Sequence, residues 1–235
     1  MVGSYLNNIT ALRLGLSIPL SRHLEIRPSA SITHLSNGAS AMPNRGINIP
    51  TFQLSICYMY NPVTDADKVI DKEAVFKFAW KFRYSALFSM GIKEQSAYGT
   101  GIKHPVYNAA LDAGIMLSSN NLFKLGIEFD YIGSYAAFMY HLGTYKDVDI
   151  HWQSSRFAAF LMDEIFIGRF SLNFGLGFYL TQHLNQPLFT YFRLAAKYYL
   201  SDPIENKLAP FLYISIKAHT FVAEYFSIGI GLNLK

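Results

Sequence analysis

The chain has 235 residues, of which 51% are hydrophobic and 16% aromatic, while only 15% are charged. Soluble domains carry about 25% charged residues, so this composition is poorly suited to a fully hydrated surface, and no run of about 18 apolar residues exists to form a membrane-spanning helix. The net charge of +4 includes no basic cluster of the kind that marks a nucleic-acid partner.

The remaining way through a bilayer is a closed β-barrel, because lipid offers backbone polar groups no other partner. The chain reads with period two almost throughout, which is the strand signal. Leu12, Leu14, Leu16, Ile18 and Leu20 alternate with Arg13, Gly15 and Ser17. Leu24, Ile26, Ala30 and Ile32 alternate with Glu25, Arg27, Ser29 and Ser31. Further along, Phe76 to Met90 forms an aromatic comb interleaved with Lys77, Lys81, Arg83 and Ser85. The pattern returns in Phe123, Leu125, Ile127 and Phe129 against Lys124, Gly126, Glu128 and Asp130, in Phe170 to Leu180, and in Phe226 to Leu234. Strands are predicted near 9–20, 23–36, 51–60, 75–92, 105–118, 122–140, 153–167, 169–183, 190–201, 208–218 and 222–234, with no helix. In a soluble sandwich or lipid carrier these combs would face a core. In a membrane barrel they face lipid, and the small and polar comb lines the lumen.

The fold class is therefore all-β, an antiparallel transmembrane outer-membrane β-barrel of about 10–12 strands. Tight turns at Ser21-Arg22, Ser119-Asn120-Asn121 and Gly168-Arg169 alternate with long links near 37–50, 93–104 and 141–152. Such barrels keep short turns on the periplasmic side and long loops outside. Residues 1–62 are read as closing strands and residues 63–235 as further strands of the same barrel, with a polar seam near 61–74. Met1 to Tyr5 lacks the basic and apolar regions of a signal peptide. An odd strand count also places the chain ends on opposite sides, so the expectation is that N-terminal strands are missing.

His34 and Ser36 lie two apart at the end of a predicted strand and share its apolar face. An imidazole beside a hydroxyl is the minimum for a base-activated nucleophile. Asn37 supplies an amide and Gly38 a backbone N–H that could meet an oxyanion. Pro43-Asn44-Arg45-Gly46 is a turn signal that returns the chain. Asn48 then falls in phase with Phe52, Leu54, Ile56 and Tyr58, on the same face, where it could hold His34 in a useful tautomer.

At these residues the chain resembles the lipid A 3-O-deacylase family, outer-membrane barrels of Gram-negative bacteria also grouped as acyloxyacyl hydrolase-like proteins. The shared pattern is His-x-Ser-Asn, then Pro-Asn-x-Gly, then an acid, matched here by His34, Ser36, Asn37, Pro43, Asn44 and Gly46 over about residues 23–60. The resemblance implies an esterase acting on an acyl chain of lipid A or lipopolysaccharide. Ser36 would be its nucleophile and His34 its base, with no cofactor and no metal. Asn48 stands where the family has a glutamate. In serine-protease triads, exchanging the acid for an amide lowers turnover by about 10⁴. The alternative reading is a non-catalytic barrel, channel or structural protein, with a degenerate motif.

Other groups fit structural roles. Asp163 and Glu164 point to opposite faces of a strand, Lys77, Lys81 and Arg83 form a lumen stripe, and Cys57, the only cysteine, is out of phase with the apolar comb. His104, His141 and His151 lack metal-ligand spacing.

Overall fold

A computed structural model describes residues 8–37, 46–61, 81–94, 101–143, 147–181, 189–219 and 222–235. Period-two sequences become antiparallel strands in two separate sheets. The first contains β1 (Asn8–Gly15), β2 (Ile18–Pro19), β3 (Leu24–Ser36) and β4 (Ile47–Tyr58). Both β1 and β2 pair with the same side of β3, and β4 pairs with its other side. The predicted 9–20 strand is thus one strand interrupted at Leu16 and Ser17, where the Leu16 N–H still donates to the Pro28 carbonyl at 3.0 Å.

The second sheet contains β5 (Phe82–Glu94), β6 (Lys103–Met116), β7 (Asn121–Ile132), β8 (Ser155–Ile167), β9 (Phe170–Tyr179), β10 (Thr190–Tyr199), β11 (Leu208–His219) and β12 (Val222–Leu234). Each pairs with the next, and β12 pairs with β5, so these eight strands close a barrel. This corrects two expectations. The barrel holds an even number of strands, and it closes without β1–β4 instead of continuing one barrel with them. Residues 62–80, which include most of the predicted seam and Lys77, connect the two sheets and lie outside the described residues.

A third correction concerns helices. The predicted 122–140 strand ends at Ile132, and α1 (Gly133–Leu142) and α2 (Ile150–Gln153) follow it. The α1 helix stops at Gly143, whose φ of 62° forms a left-handed C-terminal cap. Asp149 caps α2 by accepting from the N–H groups of His151 and Trp152.

The barrel is apolar outside and polar inside. Along β7, Leu125 and Ile127 are 61% and 58% exposed, while Lys124, Glu128 and Asp130 are buried. That is the reverse of a soluble core and the arrangement of an outer-membrane barrel. Aromatic residues gather at both rims. Tyr107 stacks on Tyr131 near the helices, and Phe170 packs against Tyr198 near the short turns.

Eight strands enclose a lumen just wide enough to be filled by side chains. Burying an ion costs several kcal/mol unless it is paired, and these charges form three clusters. Glu164 meets Lys124 Nζ at 2.7 Å and Lys197 Nζ at 3.0 Å. Glu128 and Asp130 share Lys217, with Arg193 also on Glu128 and Tyr225 Oη donating to Asp130. Glu224 binds Arg156 at 2.8 Å, His219 Nε2 at 2.8 Å and Lys93 at 3.3 Å. Large rings fit because they face glycines across the ladder: Tyr191 opposite Gly177, Phe211 opposite Gly231 and Phe160 opposite Gly126.

Asp163 and Glu164 do point opposite ways. Asp163 accepts from Asn121 Nδ2 at 2.6 Å, while Glu164 is lumenal. Arg83 is buried and donates to the Ile204 carbonyl, whereas Lys81 is exposed.

Candidate active site

The site is assembled by strand register. His34 on β3 lies opposite Asn48 on β4, and Leu35 lies opposite Ile47. On the other side, β1 places Thr10 opposite His34 and Asn8 opposite Ser36. Directly opposed residues of antiparallel strands project to one face. Thr10, His34 and Asn48 therefore form a row across three strands.

The same face continues as an apolar surface. Leu12 opposes Ile32, Leu14 opposes Ala30, and Ala30 opposes Phe52 on the far side. Phe52, Leu54 and Ile56 are 87%, 72% and 72% exposed. Small Ala30 lies between larger neighbours and floors a trough of about 660 Å³ walled by Leu14, Leu16, Pro28, Phe52 and Leu54. The other face is polar: Ser17 and Arg27 both bond Glu25, which lies opposite Cys57. Cys57 is half-buried on that polar face.

The imidazole of His34 is held on one side by a 2.7 Å contact between Nδ1 and Asn48 Oδ1. An amide oxygen only accepts, so Nδ1 carries the proton and donates. Nε2 is then left with its lone pair, which is the tautomer a general base needs. Gly46 immediately precedes β4 with φ of 61°. A Cβ there would lie 2.8 Å from His34 Cε1 and 3.5 Å from Nε2. The backbone of Gly46 is therefore packed against the Cε1–Nε2 edge of the ring.

Ser36 is only 1% exposed, and its Oγ has no hydrogen-bond partner among the described residues. Leaving a buried hydroxyl unsatisfied costs about 1–3 kcal/mol. Such an orphan in a native site marks a place where a ligand or water completes the bonding. Hydrogen bonds of a catalytic pair also tighten when substrate arrives. Asn37 is buried next to Ser36 at 5% exposure. Gly38, Pro43 and Asn44 lie outside the described residues.

Among the described residues, the structure brings together His34, Asn48 and Gly46, and it places Ser36 two residues beyond His34 on the same strand, with Asn37 next to it. Two features escape period-two reading: the burial of Ser36 and the contact of Gly46 with the imidazole. Thr10 could have been found, since it is in phase with Leu12 and Leu14 on the apolar comb. The remaining histidines sit elsewhere. His104 opposes Lys93 in β6, His141 ends α1, and His151 in α2 meets Tyr131 Oη at 3.0 Å.

A protein-family model described as acyloxyacyl hydrolase, C-terminal domain, matches residues 82–235, which is more than half of the chain. The chain belongs to the acyloxyacyl hydrolase C-terminal domain family. This is a lipid A deacylase-like family of outer-membrane barrels, and the matched residues span the closed barrel from β5 to β12. His34, Ser36 and Asn48 lie in the preceding sheet, outside the matched span of the acyloxyacyl hydrolase domain. None of the curated proteins compared matches the chain.

Proposed function

We propose that the chain is an outer-membrane esterase of a Gram-negative bacterium that releases an ester-linked acyl chain from lipid A or a related lipid. The observation that carries this reading is the pairing of His34 Nδ1 with Asn48 Oδ1 on the same apolar sheet face as Ser36. Ser36 Oγ attacks the acyl carbonyl and gives its proton to His34 Nε2. Charge develops on the carbonyl oxygen and is met by the Asn37 amide and the Gly38 N–H. His34 returns the proton to the leaving alkoxide, and water then hydrolyses the acyl-serine by the reverse use of the same base. No step needs a metal or cofactor.

The face supports a membrane-resident substrate. Exposed leucines, isoleucines and Phe52 suit a lipid environment, and the trough floored by Ala30 would take an acyl chain lying along the strands. A lipid would enter laterally, without leaving the bilayer. The test is mass spectrometry of lipid A incubated with the full-length protein and with Ser36→Ala. Loss of one acyl chain with the parent protein, and at least ~10³-fold slower loss with Ser36→Ala, is expected. Identical acyl patterns from the two proteins would remove the proposal.

A further inference from the structure

We infer that Gly46 is a positioning residue for the base of the proposed hydrolase: its bare Cα, held at φ 61°, closes on the Cε1–Nε2 edge of His34 and keeps the imidazole seated against Asn48. The inference rests on the esterase reading for its kinetic consequence, but its geometric part stands on the ring contact alone.

Three contacts define where the ring lies. Nδ1 is fixed by Asn48 Oδ1 at 2.7 Å. Cε1 lies so close to Gly46 that a Cβ would sit 2.8 Å from it, a separation that real Cβ atoms do not show. The Leu35 carbonyl lies 3.4 Å from the same point, so a side chain at 46 has no room to lean toward the β3 backbone. A methyl group here must therefore push the imidazole, and the ring yields by rotating away from Asn48. The register makes this unavoidable: Gly46 immediately precedes Ile47, which pairs with Leu35, while His34 pairs with Asn48.

Glycine is demanded twice, by the left-handed backbone and by the ring, and the two demands can be separated. Asparagine adopts positive φ more readily than other residues with a Cβ, yet it still carries the clashing atom. Gly46→Asn therefore tests the ring contact, and Gly46→Ala tests both demands together. A positioning error of this kind costs on the order of 10²-fold in turnover.

The experiment uses the full chain in detergent, with ¹⁵N-labelled histidine, for the parent, Gly46→Asn, Gly46→Ala, Asn48→Ala and Gly46→Asn/Asn48→Ala proteins. Retained barrel folding is checked by heat-modifiable gel mobility. The parent is expected to show His34 as the Nδ1–H tautomer. Gly46→Asn is expected to fold, to lose that signature and to lose kcat with KM little changed. In the Asn48→Ala background the ring is no longer held, so Gly46→Asn adds much less than its cost alone. Gly46→Asn with the parent's tautomer and kcat, or fully additive losses in the double variant, would overturn the inference. If Ser36→Ala leaves acyl release unchanged, the esterase reading fails, and the nitrogen spectra still decide the position of the ring.

Discussion

Asn48 sets the limit on what His34 can do. The amide oxygen fixes the tautomer through Nδ1, as the acid of a triad does, but it brings no negative charge to stabilise an imidazolium. Asn48→Glu should keep the 2.7 Å contact geometry, since the residue pairs directly with His34 and is itself exposed, and should add the missing charge. Initial rates of acyl release are expected to rise by about tenfold or more, a fraction of the ~10⁴ that separates acid from amide in serine-protease triads. A lower rate than the parent would mean that the proposed base works only with a neutral partner. The His34–Asn48 pair was legible from phase alone, because period two dictates which residues share a face. The burial of Ser36 was not legible. It depends on what packs around the end of β3, and alternation carries no information about that.

Strands were more legible than the links between them. The strands expected near 122–140 and 169–183 became β7 and β9, starting within one residue of the expected positions and ending eight and four residues early, with the apolar members of their combs outside. The segment from Gly133 to Tyr140 was misread as strand because its aromatics extend the comb of β7. Ala136, Ala137, Met139 and Leu142 are helix formers, and Gly143 is the stop signal that identifies α1. The lumen glycines were read only as small members of the inner comb. The structure gives them a specific partner. A Cβ on Gly177 would lie 1.9 Å from Tyr191 Cζ, inside the ring. The ring belongs to the directly paired residue of β10, so it can be relieved only by displacing other lumen side chains. Gly177→Ala is expected to destabilise the barrel by about 1–3 kcal/mol, the usual cost of overpacking. The check is the urea midpoint of tryptophan fluorescence in detergent. Gly177→Ala combined with Tyr191→Leu should recover most of the loss, and an unchanged midpoint in the single variant would remove this account of the ring.

At the scale of the molecule, the described strands form two separate sheets, one open and one closed. The β5–β12 barrel has no free edge, and its lumen neutralises buried charge with Glu164, Glu128, Asp130 and Glu224 against lysines and arginines drawn from five strands. The β1–β4 sheet carries the proposed chemistry, and among the described residues no strand pairing links it to the barrel. Sequence reading anticipated a polar seam near 61–74 but merged the two units, because alternation reports which face a residue takes and not which strand it pairs with. The division makes a sharp expectation about independence. Every ladder and ion pair of the barrel lies within residues 82–235, the span matched by the family model. A protein of residues 81–235 should therefore refold into detergent micelles with the β-sheet circular dichroism and heat-modifiable mobility of a closed barrel, and its urea midpoint should match the barrel transition of the full chain. It should release no acyl chain from lipid A, because His34, Ser36 and Asn48 are gone. Refolding only in the presence of residues 1–61 would mean that the first sheet completes the barrel's stability, and acyl release by the fragment would move the chemistry out of the first sheet.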